Sequence, residues 1–168
     1  MVLRVERSRE PAHIQWVPLI TAIAIPLVVG FFGSLATVHA IPTWYLALHK
    51  PFFNPPNWLF GPVWTLLYVA MGVSSYLIYV KCGFRPKGQS YFTTYILQLV
   101  LNLGWSVVFF GLHDTKLAVL VILALWYFIW VLIEKAGKLS RHATYLLYPY
   151  LAWVSFATLL NIAVAFMN

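Results

Sequence analysis

Charged residues are scarce in this chain. Lys, Arg, Asp and Glu make up 9% of the 168 residues, against about 25% in soluble domains, and only four residues are acidic. Hydrophobic residues make up 62%, against roughly 45–50% in soluble domains. A soluble fold of this length has too few charges to cover that much apolar surface. The composition predicts one membrane-embedded domain over residues 1–168.

Reactive side chains are also rare. Cys82 is the only cysteine, so no disulfide forms within the chain. No acid lies deep in an apolar run, where a proton relay or ion pump needs one. The histidines lie in tails or loops and lack metal-ligand spacing: His13, His39, His49, His113 and His142. We therefore expect no catalytic residues, no metal site, no cofactor and no enzymatic activity of the protein's own groups.

Five apolar segments are long enough to cross a membrane, which takes about 20 residues in a helix. They cover residues 17–38, 62–80, 91–112, 117–133 and 143–167, after a polar basic tail of residues 1–16. The fourth is short, and we expect it to extend into its charged flanks. The sequence thus predicts an all-α integral membrane protein, a bundle of five transmembrane helices.

The basic residues support a count of five. With five spans, nine of the eleven basic residues fall on one side of the membrane: Arg4, Arg7, Arg9, Lys81, Arg85, Lys87, Lys135, Lys138 and Arg141. Only Lys50 and Lys116 fall on the other side. The positive-inside rule favours this arrangement, with the N-terminus on the basic side. The net charge of +7 is split among short clusters, so we expect lipid headgroups and not nucleic acid as its partner.

The connection between the first two spans is unusually apolar. The stretch Trp44–Tyr68 holds four of the ten prolines and many aromatic residues. Such a composition does not suit a solvated tether. We expect this long loop to fold down over an apolar site.

Two sets of polar and aromatic residues recur at helical spacing. The third span carries Gln98, Asn102 and Trp105, and the fifth carries Trp153, Ala157 and Asn161. Because an amide left unpaired in lipid costs several kcal/mol, both faces should point into the bundle. Hydrogen bonding between helices is the more common use of such amides. A ligand pocket with a few orienting polar groups is the alternative.

Small residues and prolines mark other positions within the spans. Gly30 and Ser34, with Gly33 between them, allow close helix approach, either within the chain or in a homodimer. Pro26 and Pro149 each remove a backbone donor, and each is expected to kink its helix.

Three blocks carry a family resemblance. The first holds Trp44-Tyr45, Lys50-Pro51, Pro55-Pro56, Trp58, Pro62-Val63-Trp64 and Leu67-Tyr68. The second holds Gln98-Leu99, Asn102, Trp105 and Phe109-Phe110, and the third holds Pro149-Tyr150, Trp153, Phe156-Ala157 and Leu160-Asn161. Together they resemble the translocator protein family (TspO/MBR), also called tryptophan-rich sensory proteins or peripheral benzodiazepine receptors.

The resemblance implies a five-helix homodimer with a pocket capped by the first loop. It implies a receptor or carrier for protoporphyrin IX or a haem-like tetrapyrrole, for benzodiazepine-type and isoquinoline-carboxamide drugs, and for sterols. The associated role is tetrapyrrole or lipid transport, or stress signalling. The positions that match the family's ligand-binding pocket are Tyr45, Trp64, Tyr68, Asn102, Trp105, Trp153 and Ala157, with Ser34 and Leu117 as weaker matches.

The C-terminal end of the fifth span departs from the family pattern. The stretch Asn161–Asn168 lacks the tyrosine and arginine of the animal sterol motif, so sterol binding through that motif has no support here.

The alternative functions are a light- or oxygen-dependent porphyrin-degrading enzyme and a structural membrane partner protein. The expected location is the mitochondrial outer membrane in a eukaryote or a cell envelope membrane in a bacterium.

Overall fold

A computed structural model describes residues 14–168 of the chain. Its main helices are α1 (Trp16–Ala40), α2 (Phe60–Cys82), α3 (Pro86–Ser106), α4 (Thr115–Leu139), α5 (Arg141–Tyr145) and α6 (Tyr148–Met167). The helices α1 and α3 each end in a π-helical turn, Ile41–Tyr45 and Val107–Gly111, and a short 3₁₀ turn, Asn57–Leu59, leads into α2. The basic residues Arg4, Arg7 and Arg9 lie outside the described residues.

The described residues contain five helical spans that are long and apolar enough to cross a membrane, as the sequence predicts. They run over Trp16–Tyr45, Asn57–Cys82, Pro86–Gly111, Thr115–Leu139 and Arg141–Met167. All five are longer than the predicted segments because residues at the ends continue the helices. The fourth span includes its charged flanks, as expected, and its N-terminus is capped by the Asp114 side chain, which accepts a hydrogen bond from the backbone N–H of Leu117.

The first loop is shorter than the stretch Trp44–Tyr68 suggests. Trp44 and Tyr45 belong to the π-helical turn that prolongs α1, and the non-helical connection covers residues 48–56. Lys50 fixes the point where the helix ends. Its Nζ donates to the carbonyl oxygens of Tyr45 (2.7 Å), Leu46 (3.1 Å) and Leu48 (2.8 Å), which suits a cation at a helix C-terminus.

Packing between the helices places α1 against α2 and α3, and α4 against α3 and α6. The buried face of α4 shows the helical spacing clearly, since Ile122, Leu125, Ile129 and Leu132 are all almost fully buried. By contrast, α2 and α6 make little contact with each other. The bundle is therefore closed tightly around α3 and α4 and loosely between α2 and α6.

The two prolines inside spans have different effects. Pro26 is buried within α1, which continues through it. Pro149 lies in the first turn of α6, directly after the break at residues 146–147 that separates α5 from α6. A proline fits the first turn of a helix because its missing N–H has no partner there in any case. The fifth span is thus two helices, and the expected kink is a full break.

Candidate ligand cavity between α1, α2 and α3

A gap lies between α1 and α2, with α3 behind it. The two helices touch at Gly72, where an added Cβ would lie 2.5 Å from the Ile23 Cα atom. Only a residue without a side chain allows this approach. The lining of the gap begins one turn further on, at Leu27 and Tyr68, and continues toward the connection.

The gap forms a cavity of about 530 Å³. From α1 and its π-helical turn it is lined by Leu27, Gly30, Phe31, Gly33, Ser34, Thr37, Val38 and Ile41; from the start of span two by Asn57, Trp58, Phe60, Gly61, Trp64, Thr65 and Tyr68; and from span three by Asn102, Trp105, Ser106 and Phe110. Phe31, Val38 and Trp58 line the cavity and are exposed, so the cavity opens at the outer surface of the bundle. None of these described lining residues is charged.

Aromatic rings make up one wall of the cavity. Trp64 stacks on Tyr68, with ring centroids 5.6 Å apart and planes inclined by 27°. Trp64 also lies 6.2 Å from the ring of Trp105, with planes inclined by 33°. Trp105 in turn stacks on Phe109 at 5.7 Å. The Trp64, Tyr68 and Trp105 rings thus form a continuous aromatic surface along the cavity, and aromatic surfaces suit apolar unsaturated molecules.

A chain of hydrogen bonds supports this wall from behind. The Tyr68 hydroxyl donates to Asn102 Oδ1 (2.7 Å), and Asn102 Nδ2 donates to the Tyr150 hydroxyl (3.1 Å). The Tyr150 hydroxyl then donates to Gln98 Oε1 (2.8 Å). The chain links α2, α3 and α6 through buried groups, so the amides of span three face inward as predicted and bind helix to helix.

Trp105 is held in the same way from span five. Its Nε1 donates to Asn161 Oδ1 (3.0 Å), and Asn161 Nδ2 donates to the backbone carbonyl of Thr115 (3.0 Å). The predicted inward orientation of Asn161 is confirmed, since its side chain is buried. The indole is therefore fixed in orientation before any ligand arrives.

The connection between α1 and α2 is tied down at the same end of the bundle. The Tyr45 hydroxyl donates to Asn54 Oδ1 (2.6 Å), and Tyr45 is almost fully buried. The side chain of Asn168 pairs with both backbone groups of His49, each at 3.0 Å. This end of the cavity is completed by Asn57 and Trp58. The 3₁₀ turn thus borders the cavity, whereas none of residues 48–56 lines it, and the predicted capping role of the loop stays a prediction.

The predicted ligand-binding residues fall into two groups. Ser34, Trp64, Tyr68, Asn102 and Trp105 line the cavity. The others lie elsewhere: Tyr45 is buried beneath the connection, Ala157 is buried in the core, Leu117 is exposed on α4, and Trp153 borders a second recess. The binding role of each stays a prediction.

The second recess is an apolar groove between α2 and α6. It has a volume of about 500 Å³ and is lined by Val63, Leu66, Leu67, Pro149, Ala152, Trp153 and Phe156. The Phe60 ring lies edge-on against Trp153, with centroids 6.0 Å apart. Since Phe60 lines the first cavity, this pair of rings stands between the two spaces.

The small residues of α1 pack within the chain. A side-chain carbon at Gly30 would collide with the Tyr68 ring, and one at Gly33 would lie 3.3 Å from Ser106 Oγ. Of the two uses left open by the sequence, intrachain packing therefore applies to both glycines. A dimer contact through Gly30, Gly33 and Ser34 stays a prediction.

Several lining residues were not predicted from the sequence. Thr37, Asn57 and Ser106 were not singled out as candidates, and Phe110 was named only as part of the family resemblance. A signal for Thr37 existed, because it lies one turn after Gly33 on the face of α1 that carries the small residues. The partners of that face could not be read from α1 alone.

Fold and cavity together define an integral membrane protein with five spans and a ligand-sized apolar chamber. The TspO/MBR family model matches residues 22–167. The chain therefore belongs to the TspO/MBR family, which confirms the resemblance found in the sequence.

Several relatives match over most of their length. The tryptophan-rich protein TspO of Archaeoglobus fulgidus is 41% identical over 150 residues, 89% of this chain and 96% of that protein. The translocator protein of Homo sapiens is 37% identical over 160 residues, 89% of each chain. The tryptophan-rich sensory protein of Cereibacter sphaeroides is 33% identical over 139 residues, 81% of this chain and 85% of that protein. These relatives bear translocator and sensory names and not enzyme names, and the family supports a receptor or transporter role in a membrane.

Proposed function

We propose that this protein is a membrane receptor or carrier for flat, largely apolar ligands, with protoporphyrin IX as the leading candidate and benzodiazepine-type drugs and sterols as further ones. The observation that carries the proposal is the cavity of about 530 Å³ with its wall of Trp64, Tyr68 and Trp105. Cavities of about 300–1,000 Å³ that are mostly apolar and have a few polar groups are typical of small-molecule sites.

The polar groups of the cavity suit a neutral ring system. No described lining residue carries a charge, so an ionised group buried there would lack a partner. The acidic side chains of a porphyrin must therefore stay at the outer edge, near Asn57 and Trp58, where water and lipid headgroups can solvate them. The apolar macrocycle would lie against the indoles.

The opening between α1 and α2 supports binding from the bilayer. Phe31, Val38 and Trp58 form an exposed apolar rim around it. An apolar ligand dissolved in lipid would meet this rim without crossing water. A carrier role requires in addition a second state with access from another side, whereas a receptor role does not.

The test is a binding titration of the purified protein with protoporphyrin IX, followed by porphyrin fluorescence. Trp64→Ala and Trp105→Ala should each weaken binding by about 1 kcal/mol or more, roughly fivefold, because aromatic anchors dominate such pockets. Trp130→Ala is the matched control, since Trp130 is a half-exposed indole on α4 outside the cavity. Unchanged affinity in both cavity variants would refute the proposal.

A second candidate function is light- or oxygen-dependent breakdown of a bound porphyrin. The close approach of Trp64 to Tyr68 and Trp105 favours it, because an excited porphyrin there would face three oxidisable rings. Illumination of the protein with protoporphyrin IX, followed by absorbance, is the test. Loss of porphyrin no faster than with free tryptophan would exclude this function.

A further inference from the structure

The outer face of α4 carries four large side chains at the spacing of a helix–helix contact. Leu120, Leu123, Tyr127 and Trp130 follow one another at intervals of three, four and three residues. Their exposed fractions are 65%, 46%, 57% and 47%, so all four face away from the bundle. Alternating steps of three and four residues place side chains along one stripe, which a second helix can cover. These four residues are termed the α4 seam.

Two members of the α4 seam lie deep in the membrane. Tyr127 is twelve residues from either end of α4, which is about 18 Å along a helix axis. The hydrocarbon core is about 30 Å thick, so Tyr127 lies close to its centre, and Trp130 is one turn nearer the basic end. Tyrosine and tryptophan are enriched at the membrane surface, where water and headgroups bind their polar atoms. At the centre of the bilayer the lipid offers no such partner.

The polar atoms of these two side chains are unpaired within the described residues. Trp126, one turn before Trp130, shows the contrast, since its Nε1 donates to Ser155 Oγ on α6 at 2.7 Å. Trp130 stacks on Trp126 with ring centroids 6.0 Å apart, yet nothing in residues 14–168 accepts a hydrogen bond from Trp130 Nε1 or from the Tyr127 hydroxyl. Neither side chain is long enough to reach the headgroups from this depth. The partner must therefore come from another molecule at the same depth.

A second copy of this chain supplies that partner, whereas a lipid does not. The polar groups of phospholipids and sterols lie at the membrane surface. The uneven distribution of basic residues gives every copy the same orientation, so in a two-fold dimer each residue of α4 meets its counterpart at equal depth. The Tyr127 hydroxyl both donates and accepts, and Trp130 Nε1 donates. The α4 seam is thus electrostatically complementary to itself, because each copy brings an acceptor oxygen for the donors of the other.

We propose that the α4 seam is a self-association surface at which the α4 helices of two copies pack in parallel. It is separate from the dimer contact predicted on α1, because α1 packs on α2 and α3, whereas α4 packs on α3 and α6. Lys116 and Glu134 continue the spacing of the seam at its two ends, and both are exposed. They lie at the membrane surfaces, where water and salt screen the like charges of two copies.

The first test is disulfide cross-linking of the full chain in phospholipid vesicles, with Cys82 replaced by serine. Leu123→Cys places a single thiol in the α4 seam. Leu159→Cys is the matched control, because Leu159 on α6, like Leu123 on α4, is eight residues from the helix end nearest the connection. Leu159 is the more exposed of the two, so random collisions favour the control. The cross-linked dimer should form about tenfold faster in Leu123→Cys, since a specific contact raises the effective concentration of the thiols.

The second test measures the dissociation constant of the dimer by sedimentation equilibrium in detergent. Tyr127→Phe and Trp130→Phe each remove one hydrogen-bonding group and keep an aromatic ring. Each should raise the dissociation constant about three- to thirtyfold, which is the range for one hydrogen bond between membrane helices. Tyr145→Phe is the control, because Tyr145 is an exposed tyrosine on α5 outside the α4 seam, and it should leave the constant unchanged.

Each other result overturns the proposal. Equal cross-linking of Leu123→Cys and Leu159→Cys would show that the copies meet only by collision. A dimer with the wild-type dissociation constant in both Tyr127→Phe and Trp130→Phe would have its interface elsewhere. A folded wild type that stays monomeric at every concentration would leave the α4 seam to lipid or to another membrane protein. None of these results affects the proposed function, because no α4 residue lines the cavity.

Discussion

The backbone of α1 at Ile23 rests directly on Gly72 of α2, and this contact leaves no room for a side chain at position 72. The lining of the cavity between the same two helices begins one turn further on, at Leu27 and Tyr68. A larger residue at position 72 would therefore have to push the two backbones apart beside the cavity.

Gly72→Ala should therefore destabilise the bundle, although alanine is the better helix former. A Cβ at this position would lie 2.5 Å from Ile23 Cα and 2.8 Å from the Ala22 carbonyl oxygen. Forcing a methyl group into such a contact costs about 1–3 kcal/mol, more than the gain of about 1 kcal/mol in helix propensity. Thermal unfolding in detergent should show a lower midpoint. Gly104→Ala is the control, because nothing lies within 4 Å of its added Cβ, and its midpoint should stay equal or rise.

Asn102→Leu should break the hydrogen-bond chain behind the aromatic wall. The change leaves the Tyr68 hydroxyl without its acceptor and Tyr150 without a donor. A buried polar group without a partner costs about 1–3 kcal/mol, and measured couplings in membranes lie at the low end. The free energy of unfolding measured in detergent should fall by about this amount. Combining it with Tyr68→Phe should cost less than the sum of the two single changes, and strict additivity would argue against the direct contact.

Lys50→Met should loosen the connection between α1 and α2 without unfolding the bundle. The ammonium group caps three carbonyl oxygens at the end of α1. Without it we expect faster hydrogen exchange in residues 46–56 and little change elsewhere. Lys116→Met removes an exposed cation from the same end of the bundle and is the matched control. Equal exchange rates in the two variants would show that the cap is unimportant.

Gly30→Leu separates ligand binding from assembly. The leucine side chain would enter the cavity at the Tyr68 ring, so porphyrin binding should fall at least tenfold, on the order of the 1.4 kcal/mol that one decade represents. If Gly30 packs only within the chain, the molar mass in detergent measured by light scattering should not change. A smaller assembly with binding intact would instead support the dimer contact and the structural partner role.

The number and identity of the helices could be predicted from the sequence because lipid imposes a strong rule. Each span must be long, apolar and internally hydrogen-bonded, and residues that break the rule, such as Gln98, Asn102 and Asn161, must face inward. The residues at which the helices end were harder to predict. Ile41–Tyr45 continue α1 as a π-helical turn, and the contacts of Lys50 that end it depend on the folded backbone.

The cavity could be predicted only in part. Trp64, Tyr68, Asn102 and Trp105 come together because they lie on inward faces near one end of the bundle. Trp153 and Ala157 lie four residues apart on α6, yet one borders the outer groove and the other lies in the core. Four residues advance a helix by slightly more than one turn, and the small offset decides which neighbour a side chain meets. That neighbour depends on how closely α2 and α6 pack, which spacing within one helix does not reveal.

The Phe60 ring has a consequence for the size of molecule that the interior can hold. It stands edge-on against Trp153, with the inner chamber on one side and the outer groove on the other. The inner cavity is therefore bounded on this side by an aromatic ring that is itself packed against a second one, and a bound molecule can extend toward α6 only as far as the Phe60 ring.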